Sequence, residues 1–203
     1  MKPKNTAVIS SRIRREIYIN KEVCILKDKI HGKNITLRAL QSKDVEFFTH
    51  WYNKPKVMFE CGFHAPTTPE AELERIQRHE DNDEDWYAIV DKKTSRLIGE
   101  TGLLRMWHHW YCTDMSMIIP NPDDQRKGYG TEAGYLMLDR IFNHYNFNRV
   151  SIGVVELNTR ALKYWERLGF KKEGIQEQGY FYNGSFSNFV MMRILKNEYK
   201  NYY

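Results

Sequence analysis

The chain has 203 residues, 41% hydrophobic and 28% charged, enough for one domain with a sizeable core and too apolar for wholesale disorder. No run of about 18 apolar residues exists to span a membrane, and the opening Met1-Lys2-Pro3-Lys4-Asn5 lacks the apolar core of a secretion signal. The net charge of +5 is concentrated at one end: residues 1–33 hold nine Lys/Arg against three Asp/Glu, which leaves residues 34–203 at −1 and argues against a nucleic-acid-binding main domain.

Within the basic extension at 1–33, Glu16–Asn20 and Val23–Leu26 read as short strands. Asn34–Leu40 alternates with period two and is the expected first strand of the main domain, 34–198. Ser42, as N-cap, opens a helix through Val45, Phe47, Phe48 and Trp51, which Pro55 ends. Thr68 and Pro69 suit the N-cap and first position of a helix over Glu70–His79, followed by an acidic run at 80–85. Strands are expected over Trp86–Val90, Leu97–Arg105 and Asp114–Ile119, the first two joined by the turn Asp91–Ser95. A long amphipathic helix runs from Thr131 to about Tyr145, and Arg149–Val155 is a strand. Asn158 caps a helix that Gly169 stops, Tyr180–Tyr182 and Phe189–Leu195 close the domain around Asn183-Gly184, and residues 199–203 form a tail. Strands alternating with helices, with hairpins among them, imply an α/β domain with a mixed sheet.

Cys24, Cys61 and Cys112 are odd in number and far apart, without a C-x-x-C pair. Reduced thiols in a cytoplasm fit this better than disulfides or a zinc site, and no metal is expected.

The segment with chemical content is Gln125-Arg126-Lys127-Gly128-Tyr129-Gly130-Thr131, between an apolar strand and an amphipathic helix. A helix start leaves backbone N–H groups unpartnered and carries partial positive charge, so it attracts anions. Gly128 and Gly130 allow close approach, and Arg126 and Lys127 add charge. The physics points to a phosphate or pyrophosphate; an ordinary turn with two glycines is the plain alternative. There is no Walker lysine, and Ala133 breaks a G-x-G-x-x-G dinucleotide pattern.

Q-R-K-G-Y-G after Met115–Pro120 resembles the Q/R-x-x-G-x-G/A pyrophosphate loop of GNAT acetyltransferases. Val155–Phe170, with Asn158, Ala161 and Leu168-Gly169-Phe170, is similar to that family's strand–helix–turn. Glu173-Gly174-Ile175, Tyr180, Asn183-Gly184, Phe186 and Asn188 resemble the branch of ribosomal-protein N-terminal and spermidine N-acetyltransferases, as do Leu37–Leu40 with Asp44. The resemblance covers residues 34–198.

It implies the GNAT fold, acetyl-CoA as co-substrate and direct attack of a neutral amine on the thioester. The amides of Arg126, Lys127, Gly128, Tyr129, Gly130 and Thr131, beside Gln125, would cradle the pyrophosphate. Ile118 and Ile119 would end a strand that splays from its neighbour and pairs with the pantetheine arm. Asn158 would cap its helix and either stop there or also meet the coenzyme. An alkylammonium, with a pKa of about 10.4, must lose a proton before attack. Asp114 is the first expectation for that base, since it shares a strand face with Ser116 and Ile118, with a satisfied surface Asp beside a turn as the alternative; Glu100 is second. The family's general-acid tyrosine aligns with Trp165, and Tyr164 lies one residue, about 100° of helix, away; core packing of both rings is the alternative. His108 or His109 could serve as base or belong to a loop.

The acceptor is expected between the early helices, the loop at 106–112 and the hairpin at 177–188, near Glu60, Glu70, Glu72, the run 80–85 and Glu177. Acidic walls would draw polyamines, aminoglycosides or amino sugars. A protein N-terminus is the alternative acceptor, and a CoA-binding domain without activity a third reading. The resemblance also brings a homodimer through the C-terminal strands, with Tyr199, Tyr202 and Tyr203 at hand.

Overall fold

Alternation along one strand explains the layering. In Trp86–Asp91, Tyr87 and Ile89 join Ile35 and Leu37 in the larger core, whereas Trp86 and Ala88 join Phe48, Tyr52, Val57 and Ile76 in a smaller one. The sheet separating these cores is seen in a computed structural model that describes residues 28–81 and 84–200. The strands expected at 16–20 and 23–26, Cys24 and the terminal Tyr202 and Tyr203 lie outside them.

Eight strands are described: β1 (Ile30–His31), β2 (Ile35–Ala39), β3 (Trp86–Asp91), β4 (Leu97–Trp107), β5 (Cys112–Ile118), β6 (Arg149–Val155), β7 (Lys171–Tyr182) and β8 (Ser185–Leu195). Their order is β1-β2-β3-β4-β5-β6-β8-β7, antiparallel throughout except between β5 and β6. The expected mixed α/β sheet is present. Helices α1 (Val45–Tyr52), α2 (Pro55–Cys61) and α3 (Pro69–Asp81) carry the smaller core, and α4 (Tyr129–Asp139) and α5 (Thr159–Arg167) carry the larger.

Local signals account for several of these elements. Thr68 Oγ1 accepts from the Ala71 amide at 3.2 Å, and Asn158 Oδ1 accepts from the Ala161 amide at 3.1 Å, so both caps form as expected. The Asp91–Ser95 turn joins β3 to β4. Gly102 on β4 is required by close approach, because a Cβ there would lie 2.5 Å from the Trp86 ring.

Other elements differ. Ser42 is not an N-cap: Ser42–Asp44 form a single 3-10 turn, in which Asp44 accepts from the Gln41 amide at 2.9 Å and pairs with Arg38 at 2.7 Å. Pro55 ends α1's path but also starts α2, occupying the first turn where its missing N–H costs nothing, and Gly62 closes that helix at φ 78°. Helix α4 starts at Tyr129, ahead of Thr131, and passes into a wider π-type turn at Arg140–His144. β1 pairs with β2 from within the expected extension. Tyr199 packs against Phe142 of the larger core, with ring centroids 5.2 Å apart.

Candidate active site

The parallel pair β5–β6 is joined only where it begins, at Cys112–Arg149, Thr113–Val150 and Asp114–Ser151. Past this point β5 stays on β4 and β6 stays on β8, each through its own outer edge. The facing edges diverge, leaving backbone N–H and C=O groups along Met115–Ile118 and Ile152–Val155 with no strand to pair with. The gap opens into a cavity of about 980 Å³ that reaches α4 at one end and α1–α3 at the other.

At the α4 end, Gln125 is extended while Arg126 (φ 61°) and Gly128 (φ 85°) are left-handed, which turns the chain sharply into the helix. A Cβ on Gly128 would meet nothing within 4 Å, so the space above it is open. Gln125 Nε2 donates to the Ile119 carbonyl at 2.8 Å. Arg160 donates to Gln125 Oε1 at 2.5 Å and to Glu60 Oε2 at 2.7 Å, tying α5 to this turn and to α2. Asn158 adds a bond from Nδ2 to the Glu60 carbonyl at 3.3 Å, besides its capping bond.

Of the residues expected to hold coenzyme, Ile118, Ile119, Gln125, Arg126, Gly128, Gly130, Thr131 and Asn158 line the cavity. Lys127 and Tyr129 do not; Lys127 is exposed, and Tyr129 donates to Asp91 at 3.2 Å. Open amides at an 11-residue helix, and an unpaired strand edge beside it, fit a pyrophosphate with an extended amide-bearing arm.

At the other end, Glu100 (2% exposed) accepts from Tyr52 Oη at 2.5 Å and from Arg75 Nη1 at 3.0 Å. Arg75 Nε also bonds Glu72 at 2.9 Å, and Thr67 Oγ1 bonds the same carboxylate at 2.8 Å. Burial works against the Arg75 charge, but Glu100, Tyr52 and Glu72 outweigh it and hold the guanidinium protonated. Burial, then Glu100, pushes the Tyr52 hydroxyl well above the usual tyrosine range. Burial, then Glu60 and Glu100, pushes the Cys61 thiol up to about 12, so it is no nucleophile at neutral pH. His79 and Trp86 stack at 4.8 Å on the same wall.

A family model described as the acetyltransferase (GNAT) domain matches residues 34–171. The chain belongs to the GNAT acetyltransferase family. It is 27% identical over 171 residues to the spermidine N(1)-acetyltransferase of Vibrio cholerae serotype O1, covering 84% of this chain and 98% of that protein. The crystal structure of the spermidine N-acetyltransferase from Vibrio cholerae, in complex with CoA and spermine, superposes at a TM-score of 0.75 with 26% identity, covering 83% of this chain and 99% of that one. The ribosomal-protein-S5-alanine acetyltransferase from Vibrio fischeri shares the fold at a TM-score of 0.71 and 18% identity, with 86% and 100% covered. The protein is thus an acetyltransferase of the GNAT fold.

Within that fold the expected catalytic residues fall in different places. Asp114 does not line the cavity. It sits where β5 and β6 are still joined, and Arg105, 67% exposed, holds its carboxylate at 2.5 Å. Glu100 does line the cavity, fully engaged by Tyr52 and Arg75. Tyr164 Oη donates to the Gly130 carbonyl at 2.7 Å with Met117 Sδ 3.3 Å away, and burial raises its pKa strongly. Trp165 packs edge-on against Phe170 in the larger core. Neither His108 nor His109 reaches the cavity, and the loop at 106–112 and hairpin at 177–188 stay off its wall. Of the expected acids Glu60, Glu72 and Glu84 line it; Glu70 and Glu177 do not. Sequence reading missed Tyr52, Arg75, His79, Trp86 and Arg160, whose partners are set by tertiary packing. Among the described residues no group of His, Cys, Asp and Glu could hold a metal, and no helix is long and apolar enough to cross a membrane.

Proposed function

We propose that the protein transfers the acetyl group of acetyl-CoA to a primary amine of a small molecule, with polyamines the first class to try. The observation that carries this is the β5–β6 gap, which connects the α4 turn to a chamber walled by Glu72, Arg75 and Glu100. The first-turn amides of α4, with Gln125 and Arg126 beside them, would bind the pyrophosphate. The unpaired edges past Asp114 and Ser151 would take the pantetheine amides as a further strand does. This brings the thioester between Ile118 and the Glu100 chamber. Glu100 shapes the acceptor end through Tyr52 and Arg75 instead of collecting a proton. Tyr164 keeps its hydroxyl proton and, turned from the Gly130 carbonyl, would donate to the departing sulfur.

The kinship to spermidine acetyltransferases and the carboxylates Glu60 and Glu84 on the wall support a cationic acceptor. Thiol release from acetyl-CoA in the presence of spermidine, kanamycin, glucosamine or an alanine-terminated peptide tests the reading. Turnover with a small amine is expected. Turnover with the peptide alone would move the acceptor to a protein N-terminus, and binding of acetyl-CoA without turnover would leave a coenzyme-binding domain.

A further inference from the structure

The acceptor enters the cavity as an ammonium, and neither carboxylate expected to deprotonate it is available. Asp114 lies outside the cavity, paired with Arg105, and Glu100 is held by Tyr52 and Arg75. Glu72 is taken up by Thr67 and Arg75. The remaining wall holds a different pair. His79, in the last turn of α3, places Nδ1 2.5 Å from Glu84 Oε2, and both residues line the cavity. The imidazole lies nearly parallel to the Trp86 ring, 14° between planes, and Trp86 lies across Gly102 on β4. Gly102 in turn pairs with Ser116 on β5, the strand forming one side of the gap. The stack therefore sets the imidazole on the cavity wall against Trp86, whose strand neighbour β4 pairs with β5 beside the gap.

We infer that His79, oriented by Glu84, is the base that takes the proton from the acceptor ammonium; this deepens the transfer reading above and rests on it. A carboxylate bonded to Nδ1 fixes the proton there, which leaves the lone pair on Nε2. Among the described residues no hydrogen bond engages Nε2, and the side chain keeps 12% of its surface exposed. Among the described residues, Glu84, Arg75 on the same helix and Glu100 from β4 act on the ring. Burial lowers its pKa most, the Glu84 bond opposes this, and Arg75 lowers it further, so the ring is neutral and ready to accept at neutral pH.

The step balances simply. One N–H bond of the ammonium breaks as its proton moves to Nε2, and Glu84 supports the imidazolium through Nδ1–H. The freed nitrogen lone pair forms the N–C bond to the acetyl carbon while the C–S bond breaks. The second nitrogen proton ends on the sulfur, and the imidazolium returns its proton to water.

The test compares the pH profile of kcat/KM for the parent, His79→Gln and Glu84→Gln, using acetyl-CoA and whichever of spermidine, kanamycin or glucosamine the parent turns over. His79→Gln is expected to lower kcat by about 10²–10⁴-fold and erase the acidic limb, with the melting shift by acetyl-CoA intact. Glu84 raises the pKa of His79, so Glu84→Gln should move the acidic limb to lower pH. Parent-like turnover and limb in a folded His79→Gln overturn the inference. If that variant does not fold, Glu84→Gln decides: a displaced limb supports it and an unmoved limb overturns it. A parent that binds acetyl-CoA but acetylates no amine refutes the transfer reading itself, and the inference falls with it, a result distinct from an active parent with an equally active variant.

Discussion

Arg75 is the cation shared by two buried carboxylates, Glu72 and Glu100, and its removal is the most demanding test of the acceptor chamber. Glu100 is 2% and Glu72 4% exposed, while the Arg75 side chain is 19% exposed. Arg75→Met keeps most of the stem and its packing over Phe48, whose ring centroid lies 5.0 Å from the guanidinium carbon, but strands both charges. Breaking a buried pair by removing one partner costs about 3–5 kcal/mol. At about 2–4 °C per kcal/mol for a chain of this size, Tm should fall by about 6–20 °C. The double variant Arg75→Met/Glu100→Gln removes one stranded charge and should recover part of the loss, a coupling that a double-mutant cycle reads directly. Urea melts of the parent, the single and the double variant measure both quantities. A loss below about 1 kcal/mol, or a double variant no better than the single, would refute the view that Arg75 stabilises these buried charges.

Three further expectations concern other parts of the site. Gly128→Val should cost stability through its left-handed backbone, and Gly128→Val and Gly130→Val should each abolish the rise in Tm that acetyl-CoA gives the parent; a parent-like rise would mean the pyrophosphate lies elsewhere. Tyr164→Phe should lower kcat by about 10–100-fold, the loss of one hydrogen bond of about 1.5–3 kcal/mol to developing charge, and unchanged kcat would leave the ring as packing alone. Deleting residues 1–27 should spare turnover, whereas deletion through residue 33 should lower Tm by removing β1 and the Lys92 Nζ bond to the Gly32 carbonyl; equal behaviour of the two would show that the β1 edge contributes nothing.

What could be read from the sequence depended on range. The Asn158 and Thr68 caps, the β3–β4 turn and the Gln125–Thr131 loop are local, so residue type and spacing within a few positions suffice to reveal them. Alternation correctly put Asp114 on a face with Ser116, but it gives a side and not a depth along the strand. Pairing between β5 and β6 persists to Asp114, which keeps that residue outside the gap. β7 was legible only at Tyr180–Tyr182 because its earlier half is exposed and has no apolar alternation. The contacts that organise the cavity join residues far apart, as Arg75 to Glu100 and Arg160 to Glu60, and no short-range pattern encodes them. His79 read as the end of a helix; its stacking on Trp86 emerges only when α3 lies against the sheet.

The central claim is that the cavity joins acetyl-CoA to a small amine. Mass spectrometry of the products formed from acetyl-CoA and spermidine, followed alongside free thiol, tests it most directly. The expected result is mono-acetylated spermidine and CoA thiol in equal amounts, both lost in Gly130→Val. Thiol release without an acetylated amine, or no reaction with spermidine, kanamycin or glucosamine under conditions where acetyl-CoA raises Tm, would contradict it.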